Sequence, residues 1–343
     1  MSKEYYYIGE QSLTFPKEVY LISSASVVGK KEGEGPLGEA FDMICQDDKF
    51  GEDTWEQAES TLQKEALALA MGKADVKPEH VRYLFAGDLL GQNIATSFGL
   101  MDYEIPLFGL YGACSTAGES LSLAAMCVGA GYAKTVAALT SSHFASAEKQ
   151  FRYPLEYANQ RPVSATWTVT GSGAFLLSVK RGSVRITGIT TGKIVDMGIK
   201  DSMNMGAAMA PAAADLIAQN LEDFGRKPSD YDKIVTGDLG YVGQEILIEL
   251  LKKKNIDISR VHEDCGILIY DKEKQGTGSG GSGCGCSAVT LSAHYLPKLT
   301  DGSLKRILFV PTGALLSTVS FNEGQNVPGI AHAVVLEHVE KEA

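Results

Sequence analysis

"KPEHVRYLFAGDL", Lys77–Leu89, is answered without a gap by "KPSDYDKIVTGDL", Lys227–Leu239, 150 residues further along the chain. Lys-Pro opens both stretches and Gly-Asp-Leu closes both. Each holds a short apolar run, "YLFAG" or "KIVTG", which reads as a buried parallel strand. A helical pattern precedes each, over Thr54–Lys73 and Met205–Phe224. One structural unit is therefore used twice.

The repeat extends outward. "ACSTAGESLSLAAM" opens a helix after Cys114, and "GCSAVTLSAHYL" opens one after Cys286, at an offset of 172 residues. The same offset pairs the apolar strand Lys134–Ser142 with Arg306–Ala314. A looser match pairs Thr170–Ser178 with Gly329–Glu337 as late strands. The first half carries an extra insertion, Ser146–Val163. Strands alternating with helices imply βαβ units and a largely parallel sheet. The duplication predicts an α/β fold of two related halves, 1–182 and 183–343. Their sheets, mixed once the late strands are added, are expected to pack face to face around the central cysteine-headed helices, in layers αβαβα. Ligands of such sheets sit beyond the carboxyl ends of strands. The repeat thus predicts that Asp88, Cys114, the strand end Ser141–His143, Asp238, Cys286 and Thr312 face one pocket.

Composition bounds the function. With 343 residues, 44% hydrophobic and 21% charged, the chain is long enough for a large core. Its net charge of −11 argues against nucleic acid and against unaided attraction to anionic lipid. "MSKEYYYIGEQSLTF" lacks the apolar region of a secretory signal. The mostly apolar run Ser120–Ala133 is too short and glycine-rich to span a bilayer. Six cysteines without an export signal suggest reduced thiols in a cytosol-like compartment.

At this point the chain resembles the thiolase and ketoacyl synthase superfamily, through its duplication, its "GAC" before a helix and its "TGSGA" strand. Within that superfamily it is similar to the stage V sporulation protein AD family of spore-forming bacteria. The residues that carry this are Glu34–Asp42, "FAGDLLGQN" (Phe85–Asn93), "GACST" (Gly112–Thr116), "TSSHFASAEKQFRYPLEY" (Thr140–Tyr157), Met209–Asp215, "GSGCGCSAV" (Gly281–Val289) and "TGALLS" (Thr312–Ser317). The resemblance implies a thiolase-like fold and a soluble subunit that binds dipicolinic acid, free or as its calcium chelate. It implies uptake of dipicolinate during sporulation and its release at germination. The partners it implies are membrane-embedded proteins of the stage V A operon, at the inner membrane of the spore. A homodimer, formed through a sheet edge near "TGSGAFLLS", is also expected from it.

A condensing enzyme needs more than a thiol. Ketoacyl synthases add two side chains, His-His or His-Asn, that polarise the second substrate and stabilise an enolate. The corresponding stretches here, Thr236–Glu245 and Gly278–Ser287, offer Asp238 and a run of Gly, Ser and Cys, with no His or Asn. A carboxylate repels an enolate. No "GHPxG"-type segment supports a thiolase. The expectation is a non-catalytic binding protein with no cofactor, in which Cys114 marks a vestigial nucleophile. The alternatives are a Cys114-dependent acyl-transfer enzyme and a scaffold or plug with a vestigial pocket.

The expected ligand-binding set is Asp88, Gln92, Cys114, Ser115, Ser142, His143, Arg152, Tyr153, Asp238, Cys286 and Thr312. Arg152 would grip a carboxylate of the flat pyridine, and Tyr153 or Tyr157 would stack on its ring. Glu148 and Glu156 read as structural. His80, His262, His294 and His338 read as surface or helix positions, and His332 as possible core. Asp88, Asp238 or Glu156 would supply oxygens if calcium were contacted directly. No protein metal site is expected: "CGC" (Cys284–Cys286) lacks zinc spacing. "GTGSGG" (Gly276–Gly281) lacks the preceding strand of a dinucleotide fingerprint and reads as a loop allowing close chain approach.

Overall fold

The computed structural model describes residues 5–151, 154–158 and 160–340. The first half runs β1 (Val19–Val28), α1 (Trp55–Ala74), β2 (Leu84–Gly87), α2 (Ile94–Leu100), β3 (Leu107–Leu110), α3 (Thr116–Ala130), β4 (Thr135–Ser142), α4 (Phe144–Phe151), β5 (Trp167–Thr168) and β6 (Gly171–Ser178). The second runs β7 (Val184–Thr191), α5 (Met205–Asp223), β8 (Lys233–Thr236), α6 (Gly240–Lys253), β9 (His262–Asp264), β10 (Gly281–Ser282), α7 (Cys284–Thr290), β11 (Arg306–Val310), β12 (Thr312–Ala314) and β13 (Gly329–His338).

The two halves share one strand order. The first sheet is ordered β3-β2-β4-β6-β1 and the second β9-β8-β11-β13-β7. In each, the first two pairings are parallel and the next two antiparallel, so the sheets are mixed, as expected. The sheets are also joined edge to edge, because β1 and β7 pair antiparallel over Leu21–Val184, Tyr20–Arg185 and Val19–Ile186.

Strand alternation builds the layers. Val136 and Ala138 of β4, Phe175 and Leu177 of β6, and Val334 and Leu336 of β13 enter a central core. Their neighbours Ala137, Leu139, Ala174 and Leu176 enter an outer core under α1, and Ala333 and Val335 enter another under α5. Period-2 side chains serving two layers are what a sheet covered on both faces requires.

The helices sort by their patterns. α1 is amphipathic and closes an outer face with Leu62, Ala66, Leu67 and Ala70. Its start is fixed by a capping box between Thr54 and Gln57. α3 is apolar nearly all round, so it packs between the two sheets, with Leu121, Ala124, Ala125 and Val128 fully buried. Gly131, at φ 85°, ends it in a left-handed cap. α7 lies beside it. A Cβ on Gly173 of β6 would fall 2.7 Å from Ala288 of α7, so this crossing needs glycine.

Three expectations change here. The second-half helix begins at Cys284, two residues before the expected Cys286, because Gly283 at φ 106° sets its start. The strand "TGSGAFLLS" is no sheet edge: β6 is buried throughout and lies between β1 and β4, while the first-half edge is β3. His262 is buried at the start of β9 rather than at the surface.

Candidate functional site

Cys114 sits in a tight turn ahead of α3. Ala113 adopts φ 52°, an unusual value for a residue with a Cβ. The turn is held by Ser115 Oγ donating to the Gly112 carbonyl at 2.6 Å and Thr116 Oγ1 donating to that of Ala113 at 2.7 Å. Gly112 N–H donates back to Thr116 Oγ1 at 3.0 Å. Ser115 therefore shapes the turn.

Cys114 packs against Leu89, Ala147 and Cys284. It borders a cleft of about 30 Å³, with Tyr111, Phe151, Met205 and Leu316 as apolar walls and Thr168 and Ser282 as hydroxyls. Among the described residues no charged side chain and none of the six histidines lines this cleft. The resemblance to thiolases puts Cys284 or Cys286 near the place of a second cysteine, and the repeat favours Cys286 as the helix tip; Cys284 stands beside Cys114 because the helix starts two residues earlier. Its thiol donates to the Ser141 carbonyl at 2.9 Å, and that of Cys286 to Gly237 at 3.5 Å. Burial pushes both thiols well above their usual pKa, so both act as protonated donors.

The expected set divides among several places. Asp88 turns toward the outer layer and accepts from Leu90 N–H, Thr96 N–H and Thr96 Oγ1 at 2.8, 2.8 and 2.6 Å. Gln92 is exposed, in a turn with φ 57°. Ser142 staples β4 to α7, donating to Val169 O at 2.7 Å and accepting from Gly285 N–H at 3.2 Å. Asp238, Cys286 and Thr312 are buried deeper in the second half, where Thr312 N–H reaches Asp238 Oδ2 at 3.4 Å. Arg152 and Tyr153 lie outside the described residues.

His143 faces away from Cys114. Its Nε2 bonds the Asp48 carbonyl at 2.9 Å, and its Nδ1 accepts from Ala145 N–H at 3.1 Å. Nε2 therefore carries the proton, and burial holds the ring neutral by lowering its pKa. It opens on a different cavity, of about 370 Å³, with Lys30, Lys31, Trp55, Phe144 and Trp167. Sequence reasoning missed this cavity. Its signal was that the chain has two tryptophans, and both lie here.

A buried polar network lies behind the cleft. Glu59, from α1, accepts from Ser141 Oγ at 2.9 Å and from Ser146 Oγ at 2.7 Å. Gln63, one turn later, donates to Ser141 Oγ, Thr96 Oγ1 and the Gly87 carbonyl. Burial, then the neighbouring Asp88, pushes the Glu59 carboxyl up to about 8. Glu148, in α4, is fully buried, accepts from Thr168 Oγ1 and pairs with Arg161. Glu156 is exposed. Asp88, Asp238 and Glu156 thus do not converge, and among the described residues no group of three or more His, Cys, Asp or Glu is arranged to hold a metal ion. Nor, among the described residues, is any helix long and apolar enough to cross a membrane.

The duplicated sheets and the cysteine turn between them define a protein of the thiolase and ketosynthase fold. Solved structures agree. 3-Oxoacyl-[acyl-carrier-protein] synthase III from Aquifex aeolicus superposes with a TM-score of 0.57 at 14% identity, over 93% of this chain and 100% of that one. Human mitochondrial 3-ketoacyl-CoA thiolase gives 0.57 at 13%, over 95% and 100%. At such identities the likeness shows the fold alone. Sequence is more specific: the family model for stage V sporulation protein AD (SpoVAD) matches residues 9–337. Stage V sporulation protein AD of Bacillus subtilis (strain 168) is 43% identical over 329 residues, 96% of this chain and 97% of that protein. The chain belongs to the stage V sporulation protein AD family.

Proposed function

We propose that this chain is a non-catalytic binding protein for dipicolinic acid, free or as its calcium chelate. It serves dipicolinate uptake during sporulation and release at germination. It works as the soluble subunit of a channel built with membrane-embedded stage V A-operon proteins, held peripherally at the spore inner membrane. The observation that carries the non-catalytic part is the company Cys114 keeps. Its cleft has no histidine and no charged group among the described residues, and its near neighbour is another protonated thiol. Condensation needs a polarising pair beside the sulfur.

The ligand docks at the mouth of the Cys114 cleft, whose interior of about 30 Å³ is too small to enclose it, with Arg152 taking a carboxylate and Tyr153 stacking. Phe151, next to them in the chain, lines that cleft. A homodimer forms through β3 rather than β6. Leu107 and Phe108 of that edge are 41% and 52% exposed, and Phe98 and Met101 nearby are 64% and 62% exposed. An unpaired apolar edge of this kind is a template for pairing with another strand.

Spores carrying Cys114→Ala or Arg152→Ala test the reading. Both should lose most of their dipicolinate while the protein stays at normal abundance. Normal dipicolinate in both would leave a scaffold with an unused pocket. A stable acyl adduct on Cys114 after incubation with acyl-CoA, with turnover, would instead restore an enzyme.

A further inference from the structure

Charge is not spread evenly over this chain. The starts of β1, β2 and β4 and the close of β6 share one end of the first sheet, away from Ser142 and the cysteine cleft. Lys17 and Glu18 lead into β1, Lys134 leads into β4, and Val179, Lys180 and Arg181 follow β6. Backbone bonds tie them into one surface. Val179 N–H donates to the Lys134 carbonyl at 3.1 Å, and Lys17 N–H to that of Gly129 at 3.2 Å. A Cβ on Gly131 would lie 2.4 Å from Lys17 Nζ, so this ammonium sits against the turn that ends α3. Tyr132 stands on that turn, 77% exposed, and Val179 is 40% exposed.

Lys17, Lys134 and Lys180 are exposed and enter no ion pair among the described residues. Arg181 donates to the Glu340 carbonyl at 3.0 Å. The acids here are Glu18, which Arg185 and the Tyr20 hydroxyl engage, and Glu340. At the margin Arg82 stands with Glu79 and Glu104. Lys17, Arg82, Lys134, Lys180, Arg181 and Arg185 thus outnumber the four acids among them, in a chain of net charge −11. Salt confines the reach of an exposed charge to about 8–10 Å, so whatever approaches this end meets the local excess first.

We infer that this end of the first sheet is a lipid-facing surface, where anionic headgroups meet Lys17, Lys134, Lys180 and Arg181 and Tyr132 seats at the membrane interface. The charges are complementary, and cations spread over the ends of separate elements suit an array of headgroups better than one extended peptide. A tyrosine ring with its hydroxyl is at home between headgroup and hydrocarbon. The inference rests on the reading that the chain is held peripherally at a membrane, and it names anionic lipid as a direct partner there.

Co-sedimentation of the full chain with vesicles tests it, without dipicolinate. The probes are vesicles of equal parts phosphatidylglycerol and phosphatidylcholine, and vesicles of phosphatidylcholine alone. Saturable binding to the mixed vesicles is expected, weakening as salt rises, with little binding to phosphatidylcholine. Lys134→Glu combined with Lys180→Glu should lower the partition at least about tenfold. Tyr132→Ser should lower it about threefold. Lys193→Glu combined with Lys200→Glu makes the same change in net charge at exposed positions beyond the other end of β7, and should leave it within about twofold. No binding to the mixed vesicles overturns the inference and leaves the cations to an acidic protein. An equal loss in the two double variants overturns it too, because net charge rather than this surface would then set the binding. Neither result bears on dipicolinate binding, which is read separately as heat, and a chain that binds no dipicolinate could still pass this test.

Discussion

Asp88 and Asp238 stand at the same place in the two repeats and are held in opposite ways. Asp88 accepts three hydrogen bonds that anchor the entry to α2. Asp238 accepts one long bond, from Thr312 N–H, and its Oδ1 has no partner. In the second half Asp264 holds the helix entry instead, accepting from Leu239 N–H and Gly240 N–H. Burial, then the charge of Asp264, raises the Asp238 pKa well above the usual carboxylate range. Asp88→Asn sets an amide N–H against donors and should cost about 1–3 kcal/mol. Asp238→Asn should stabilise the protein at neutral pH and have little effect in acid. Urea unfolding of both variants checks the contrast, and equal losses would contradict it.

Glu59 predicts a pH dependence of known sign. Its folded pKa, about 8, lies above the ordinary value of 4.5. The unfolded chain therefore releases this proton first, and stability falls as pH rises from about 4.5 to 8. Glu59→Gln keeps an acceptor for Ser141 and provides a donor toward Ser146 without a charge. The variant should gain on the order of 4 kcal/mol over wild type at pH 8 and nothing near pH 4. A gain that does not depend on pH would contradict the assignment.

His332 works in the opposite direction. Burial lowers its pKa to about 4, from an ordinary 6.5, and Nδ1 lacks a partner. As pH falls from 6.5 to 4 the unfolded chain takes up a proton that the folded chain refuses, and stability is lost. His332→Leu should remove a fall on the order of 3 kcal/mol from the acid limb. His262, also at about 4, contributes similarly. Gln244 donates to its Nδ1, leaving its Nε2 proton for Thr236, whose hydroxyl passes to Asp264. An acid limb identical in wild type and variant would contradict the account.

The edge strand predicts the oligomeric state. Wild type should sediment as a dimer, and Leu107→Lys, at a 41% exposed position, should give a folded monomer. A dimer that survives this substitution would place the interface elsewhere.

The duplication was plain in the sequence because Lys-Pro turns and Gly-Asp-Leu strand ends recur at a fixed offset and fold alike. What failed to read was whatever depends on strand order or on a single backbone angle. β6 looks like any apolar strand, and nothing in its letters says that β1 and β4 flank it. Cys284 rather than Cys286 meets Cys114 because Gly283 turns the chain two residues earlier. Asp88 and Asp238 share a motif, yet Thr96 occupies one and Asp264 displaces the other. His143 stands at a strand end as expected, but the Asp48 carbonyl and the Trp55 ring draw it to the other cavity.

Calorimetric titration of the full chain with dipicolinate, in the presence and absence of calcium, tests the central claim most directly. A saturable heat that is lost in Cys114→Ala or Arg152→Ala is the predicted result. No heat from wild type under either condition would contradict it.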